Sequence, residues 1–170
     1  MADFNVAVDK LIIIEGGFVN NPNDSGGATK YGISLRFFKE TINPNATIDT
    51  IKNLTISEAQ AIYLNFFWNK YRIGEIKDQT VAEKIFNMFV NLAPKAAAQI
   101  VQAAINSVAN NIIKVDGIMG SQTIAVLNQV VPQELLAYIS LKLIKHYCDI
   151  VDAKESQITF LLGWVKRALA

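Results

Sequence analysis

Residues 16 to 33 cannot form a helix. This stretch holds five glycines, one proline, three asparagines and an aspartate. In a helix interior glycine costs about 1 kcal/mol and proline about 3 kcal/mol relative to alanine, and Asn and Asp side chains favour turns over helical backbone. A long polar loop with room for a short hairpin is expected, and loops of this length inside compact domains are usually functional. Whatever fold the chain adopts must hold this loop on a scaffold of helices, because the residues on either side have helical periodicity. In residues 3–15, Phe4, Val8, Leu11 and Glu15 lie at spacings of four, three and four, which places them on one face. Glu15 therefore closes an apolar stripe, and Gly16 can end the helix in a left-handed conformation.

Downstream, Thr55-Ile56-Ser57-Glu58 is a capping box that predicts a helix to about residue 71. Thr80-Val81-Ala82-Glu83 is a second box that predicts a helix to about residue 92. Pro94 opens an Ala-rich helix to about residue 108. A loop over 109–122 carries the turn signal Asp116-Gly117, and Ser121 is the expected N-cap of a helix through residue 130. Pro132 marks a break, followed by predicted helices over 133–151 and 156–168. The expected class is all-α. There is no internal repeat and no low-complexity linker, so a division near residue 90 reads as a functional boundary within one compact unit.

Composition excludes several functions. The chain has 170 residues, 51% hydrophobic and 18% charged, a core-forming balance. Sixteen basic against fifteen acidic residues leave a formal charge of +1, too little to hold a phosphate backbone, so no nucleic-acid partner is expected. Cys148 and His146 are the single cysteine and histidine, which rules out an internal disulfide and a zinc site built mainly from Cys and His. A Ser-His-Asp triad would have to run through His146, and no G-x-S-x-G elbow accompanies it. His146 is expected on a helix surface, and no metal or cofactor is expected. The longest apolar runs, 11–14 and 160–165, are far below the roughly 20 residues of a membrane span, so stable membrane insertion is not expected. The start Met1-Ala2-Asp3-Phe4-Asn5 lacks a basic leader. The expectation is synthesis in the cytoplasm without a signal peptide.

The polar chemistry of the loop reduces to E-x8-D-x4-T: Glu15, Asp24 and Thr29. Glycoside hydrolysis needs one carboxylic acid to protonate the leaving oxygen and a second group to stabilise charge or activate water. Burial at the end of an apolar face favours the protonated form of a carboxyl, which suits Glu15 to the acid role. Asp24, among Gly, Asn and Ser, is expected to stay solvated and ionised, a division of labour between two carboxylates. The Thr29 hydroxyl can hold a water. Gly16 and Gly17 allow backbone to approach a bulky ligand. On the helix predicted over 80–92, Asn87 and Asn91 are four apart and share a face, suited either to sugar N-acetyl and hydroxyl groups or to ordinary internal hydrogen bonds. Among the aromatics, Tyr31 and Tyr63 are candidate site members because a buried phenol needs a partner. The others read as core.

The run from Glu15 to Ile33 matches E-G-G-[YF]-x-N-x-P-x-D-x-G-G-x-T-x-[YFW]-G-I without a gap. This resembles the signature of glycoside hydrolase family 108, bacterial and phage N-acetylmuramidases. The Glu/Asp/Thr spacing also resembles that of phage lysozymes. Further along, Phe67-Trp68, Phe86-Asn87-Met88-Phe89-Val90-Asn91 and Gly163-Trp164-Val165-Lys166-Arg167 resemble the family's later segments. Val115 to Thr123 resembles the D-G-x-x-G-x-x-T turn of a predicted peptidoglycan-binding domain paired with it. The resemblance implies a lysozyme-like helical fold, with residues 1–90 as the catalytic region and 91–170 as the peptidoglycan-binding-like region. It implies peptidoglycan glycan strands as partner and cleavage of the β-1,4 bond between N-acetylmuramic acid and N-acetylglucosamine. It also implies a role as an endolysin or secretion-associated muramidase, acting at the cell wall after holin-like or non-standard export. Glu15 carries over as catalytic glutamate, with Asp24 and Thr29 as matching positions, and Gly16, Gly17, Asn20, Tyr31, Tyr63, Asn87 and Asn91 are the expected sugar contacts. The chain departs from the pattern at Phe18, where tyrosine is common, at Asn87, where many relatives carry aspartate, and at Leu92-Ala93-Pro94, in place of Ser-Gly. The alternative is a non-catalytic peptidoglycan-binding or secretion-accessory protein on the same scaffold.

Overall fold

The computed structural model describes residues 1–20, 26–110 and 112–170. Among these the architecture is all-α, with nine α-helices and one two-stranded sheet. The contacts gather the chain into two compact units, residues 3–70 and residues 71–170 together with Met1 and Ala2.

In the first unit, helix α1 spans Phe4–Glu15. It starts where the Asp3 carboxylate accepts the Asn5 and Val6 backbone N–H groups, at 2.8 and 3.5 Å. Its buried face is Ala7, Val8, Leu11 and Ile12, and Phe4 packs edge-on against Trp68 with ring centroids 5.5 Å apart. Strands β1 (Thr29–Lys30) and β2 (Ile33–Ser34) pair antiparallel, Thr29 opposite Ser34 and Lys30 opposite Ile33. The hairpin for which the loop had room is therefore present, with a Tyr31-Gly32 turn. Helices α2 (Leu35–Thr41) and α3 (Ile48–Lys52) follow, capped by Ser34 and Thr47. Both are too short to leave a clear periodic pattern, and the sequence reading did not anticipate them. Helix α4 (Ile56–Tyr63) opens with the expected Thr55–Glu58 capping box. It does not continue as α-helix to residue 71: Leu64–Trp68 is a π-helical turn. The wider turn carries three consecutive aromatics, of which Phe66 and Phe67 pack on Phe37 at 6.2 and 5.5 Å and Trp68 is buried.

In the second unit, a short 3-10 turn at Ile73–Glu75 precedes α5 (Gln79–Asn91). The cap of α5 is Asp78, whose carboxylate accepts the Val81 N–H at 2.9 Å, and not Thr80. Asp78 reaches the free N–H groups two residues earlier, so Thr80 falls inside the first turn. Helix α6 (Pro94–Ala109) ends on Asn110 in the left-handed region, φ +58°. Helix α7 (Ser121–Leu127) has Gly120, not Ser121, at the N-cap, and stops three residues short of the expected end. Helix α8 (Pro132–Ala153) buries Leu135, Ile139, Leu143, Tyr147 and Val151, a stripe at spacing four. Helix α9 (Ile158–Leu169) packs on α8 through Trp164, which stacks on Tyr147 at 5.2 Å. The Lys84 ammonium donates to the Arg167 and Ala168 carbonyls at the end of α9. No single helix among the described residues is long and apolar enough to cross a membrane.

The D-G-x-x-G-x-x-T segment forms a closed polar buckle in this unit. Gln102, on α6 and fully buried, donates from Nε2 to Asp116 Oδ1 (2.8 Å), the Ile118 carbonyl (3.0 Å) and Thr123 Oγ1 (3.3 Å). Its Oε1 accepts the Gly117 N–H at 2.8 Å. Gly117 sits at φ +81°, and a Cβ there would lie 2.7 Å from Lys95 Cγ. Gln102 and Ile118 N–H together hold the Asp116 carboxyl below its ordinary value.

Candidate active site

Glu15 is the last residue of α1. Helix geometry carries it from the buried Leu11–Ile12 turn to the rim of the loop, where the residue is half-buried. Its Oε1 is buried and, among the described residues, is the one buried side-chain nitrogen or oxygen with no hydrogen-bond partner. Buried polar atoms in native proteins are nearly always paired, so an orphan calls for a reason.

The chain turns away from Glu15 at Gly16, which has φ +75° and donates its N–H to the Ile12 carbonyl at 3.1 Å. Its own carbonyl accepts the Tyr31 N–H at 3.0 Å, which ties the hairpin tip to the residue after the acid. Val19 and Thr29 exchange two backbone hydrogen bonds of 2.8 Å. The start of the loop and strand β1 therefore run side by side.

The tip of the hairpin faces the acid. Tyr31 and Gly32 have φ +51° and +77°, the positive pair that a two-residue turn of the primed type requires. A Cβ on Gly32 would collide with the Tyr63 hydroxyl and would lie 2.9 Å from Glu15 Cγ. Tyr63, at 0% exposure on α4, donates its hydroxyl to the Tyr31 carbonyl at 2.7 Å. Burial first, and the Glu15 carboxyl second, push the Tyr63 phenol well above its ordinary range.

The sequence-predicted residues fall into three groups. Glu15, Gly16, Tyr31 and Tyr63 come together at the hairpin tip. Thr29 lies on β1, half-buried, with its hydroxyl 3.3 Å from the Gly27 carbonyl. Gly17 is exposed with open space on its Cβ side, and Asn20 is exposed. Asp24 lies outside the described residues. Asn87 and Asn91 share one face of α5, in the second unit: Asn91 Nδ2 donates to the Asn87 carbonyl at 3.0 Å and approaches its Oδ1 at 3.4 Å. Arg167 of the G-W-x-x-R segment donates to Asn91 Oδ1 at 2.8 Å. His146 is half-buried on α8, its ring 5.8 Å from Tyr147. Among the described residues no three His, Cys, Asp or Glu side chains converge as a metal site would require.

Sequence reasoning missed the part played by Gly32. The signal available was a glycine directly after a tyrosine in a two-residue turn. What it could not reveal was that the missing side chain makes room for Glu15 and Tyr63 together.

Comparison with known proteins bears on this site. Residues 8–92, half of the chain, match the model of a family described as glycosyl hydrolase 108. Residues 96–169 match the model of a predicted peptidoglycan domain. Among solved structures the chain is similar to SagA of Brucella abortus, with 23% identity, 97% of this chain and 88% of that chain covered, and a TM-score of 0.80. That likeness is one of fold, and the fold is all-α and lysozyme-like. No curated protein matches the chain. The two family stretches meet between residues 92 and 96, whereas contacts divide the chain after Lys70. Helix α5 thus matches the first family while packing in the second unit.

Proposed function

The chain belongs to the glycosyl hydrolase 108 family, and from that premise we propose that it hydrolyses the β-1,4 bond between N-acetylmuramic acid and N-acetylglucosamine in peptidoglycan, with Glu15 as general acid. The observation that carries the reading is the orphaned Glu15 Oε1. The fold gives that oxygen no hydrogen bond of its own, so it is not committed to a structural network, and a proton on it has no competing acceptor among the described residues. Asp24 supports positive charge at the anomeric carbon or orients water, and the Thr29 hydroxyl holds that water. Gly16 and Gly17 let the glycan approach the backbone, while Asn20 and the half-exposed Tyr31 ring offer a polar contact and a stacking face. Asn87 and Asn91 belong to the second unit, where their amides suit N-acetyl or hydroxyl groups of the same polymer, chiefly Asn87, since Asn91 is already held by Arg167. The predicted peptidoglycan domain over residues 96–169 supports the same polymer as partner and the cell wall as the place of action.

The test is digestion of purified peptidoglycan by wild type and by Glu15→Gln, with mass spectrometry of the fragments. Gln keeps the size of Glu but has no acid proton to give. Fragments ending in reducing muramic acid from wild type, and few or none from the variant, are expected. Fragments ending in reducing glucosamine would assign a different bond. No fragments from either protein, with wall pull-down intact, would mean a peptidoglycan-binding protein on a lysozyme-like frame.

A further inference from the structure

The turn at Tyr31-Gly32 is built in a way that the hairpin alone does not need. A primed two-residue turn favours Asn-Gly or Gly-Gly, because its first position also needs positive φ. Here that position is a tyrosine at φ +51°, and strained backbone of this kind persists only where its surroundings hold it. Two hydrogen bonds hold it. The Tyr31 N–H donates to the Gly16 carbonyl at 3.0 Å, and the Tyr31 carbonyl accepts the Tyr63 hydroxyl at 2.7 Å. On the inner side of the turn, the space that a Gly32 side chain would fill is taken by that same hydroxyl and by the Glu15 methylenes, with Cγ 2.9 Å and Cβ 3.2 Å from the Cβ position. The acid's stem therefore packs beneath a tip that α4 clamps.

We infer that Tyr63 is a positioning residue: its hydroxyl locks the Tyr31-Gly32 tip, and the tip confines the Glu15 side chain to one rotamer. This rests on the reading of Glu15 as general acid and concerns only what orients it. Tyr63 is fully buried and presents no ring face to a sugar, so it acts through Glu15. Displacement of a reacting group by about 1 Å costs roughly a hundredfold in rate, which is why a clamp on the acid's stem matters to chemistry and not to substrate affinity.

The conservative variant Tyr63→Phe removes one hydroxyl and keeps the ring that packs on Phe67 at 5.6 Å. Two readouts are taken on the full chain. The first is the set of side-chain coupling constants of Glu15 in protein labelled with carbon-13 glutamate, its resonances identified by their loss in Glu15→Gln. The second is kcat and KM on purified glycan. Wild type is expected to show couplings of a single rotamer. Tyr63→Phe is expected to show averaged couplings, a kcat lowered about 10- to 100-fold and a KM within about twofold of wild type. Gly32→Ala, which crowds the same two groups from the other side, is expected to lower kcat likewise. Unchanged couplings with unchanged kcat in Tyr63→Phe would overturn the inference, as would a loss confined to KM. Averaged couplings in a protein that cleaves no peptidoglycan would uphold the clamp and overturn the hydrolase reading. Unchanged couplings in an active enzyme would do the reverse.

Discussion

Two glycine turns in this protein look alike in sequence and do opposite things with a buried polar side chain. Around Gly117, the buried Gln102 amide makes three donor contacts and one acceptor contact, and each reaches an identified partner. Around Gly32, the buried Glu15 Oε1 reaches none among the described residues. Both glycines have positive φ, and both leave room for a side chain that a Cβ would strike. A satisfied buried network fixes structure, because losing any member strands the others. A buried polar atom without a partner costs stability, and a catalytic role is one physical reason for a fold to keep it. The contrast separates a turn that closes a satisfied polar buckle from one that leaves an acid oxygen without a partner.

The largest expected effect is on chemistry. Glu15→Gln should reduce the release of reducing ends from peptidoglycan by about 10²- to 10⁴-fold, the usual contribution of a general acid, with little change in circular dichroism. Next comes the buckle. Gln102→Ala takes the acceptor from the Gly117 N–H, while Asp116 and Thr123 keep their bonds to Ile118, and should cost about 1–3 kcal/mol in urea unfolding. Full stability in that variant would remove the distinction between the two turns. Gly117→Ala meets Lys95 Cγ at 2.7 Å and its carbonyl at 3.2 Å in a left-handed backbone, and should cost about 1–2 kcal/mol. The smallest effect is in acid. The Gln102 amide and the Ile118 N–H hold the Asp116 carboxyl below its ordinary value. Its contribution to stability is therefore present above the unfolded pKa of about 3.9 and lost as pH falls through the lower folded value. Asp116→Asn should flatten the decline in melting temperature between about pH 5 and pH 2, and an unchanged slope would show that the buckle does not depend on that charge.

Much of the scaffold was legible because its signals are local. Thr55 and Pro94 sit where α4 and α6 begin, and the four-three-four spacing ending on Glu15 predicted the helix that delivers it. Other features were hidden by competition between nearby signals. Asp78 and Thr80 both offer a capping oxygen, and only the fold decides that Asp78 takes the N–H groups. Consecutive aromatics at Phe66, Phe67 and Trp68 carry no mark of the π-helical turn that spreads them. Gln102 in an Ala-rich helix reads as a solvent-facing polar residue, since its partners lie 14 to 21 residues away. At the site, the residues of the loop could be named, but the meeting of Glu15, Gly32 and Tyr63 depends on a contact between α1, the hairpin and α4. No spacing within one element encodes that.

The comparison stands or falls on whether Glu15 is structurally idle. The direct measurement is the thermal unfolding midpoint of Glu15→Leu beside wild type. Replacing an unpartnered buried oxygen by an apolar group of similar size should leave stability equal or raise it by about 1–3 kcal/mol, a midpoint shift of up to several degrees upward, and on the proposed reading the variant releases no fragments from peptidoglycan. A midpoint several degrees below wild type would mean that Glu15 is held by the fold as Gln102 is, and that the orphaned oxygen is not the mark of an active site.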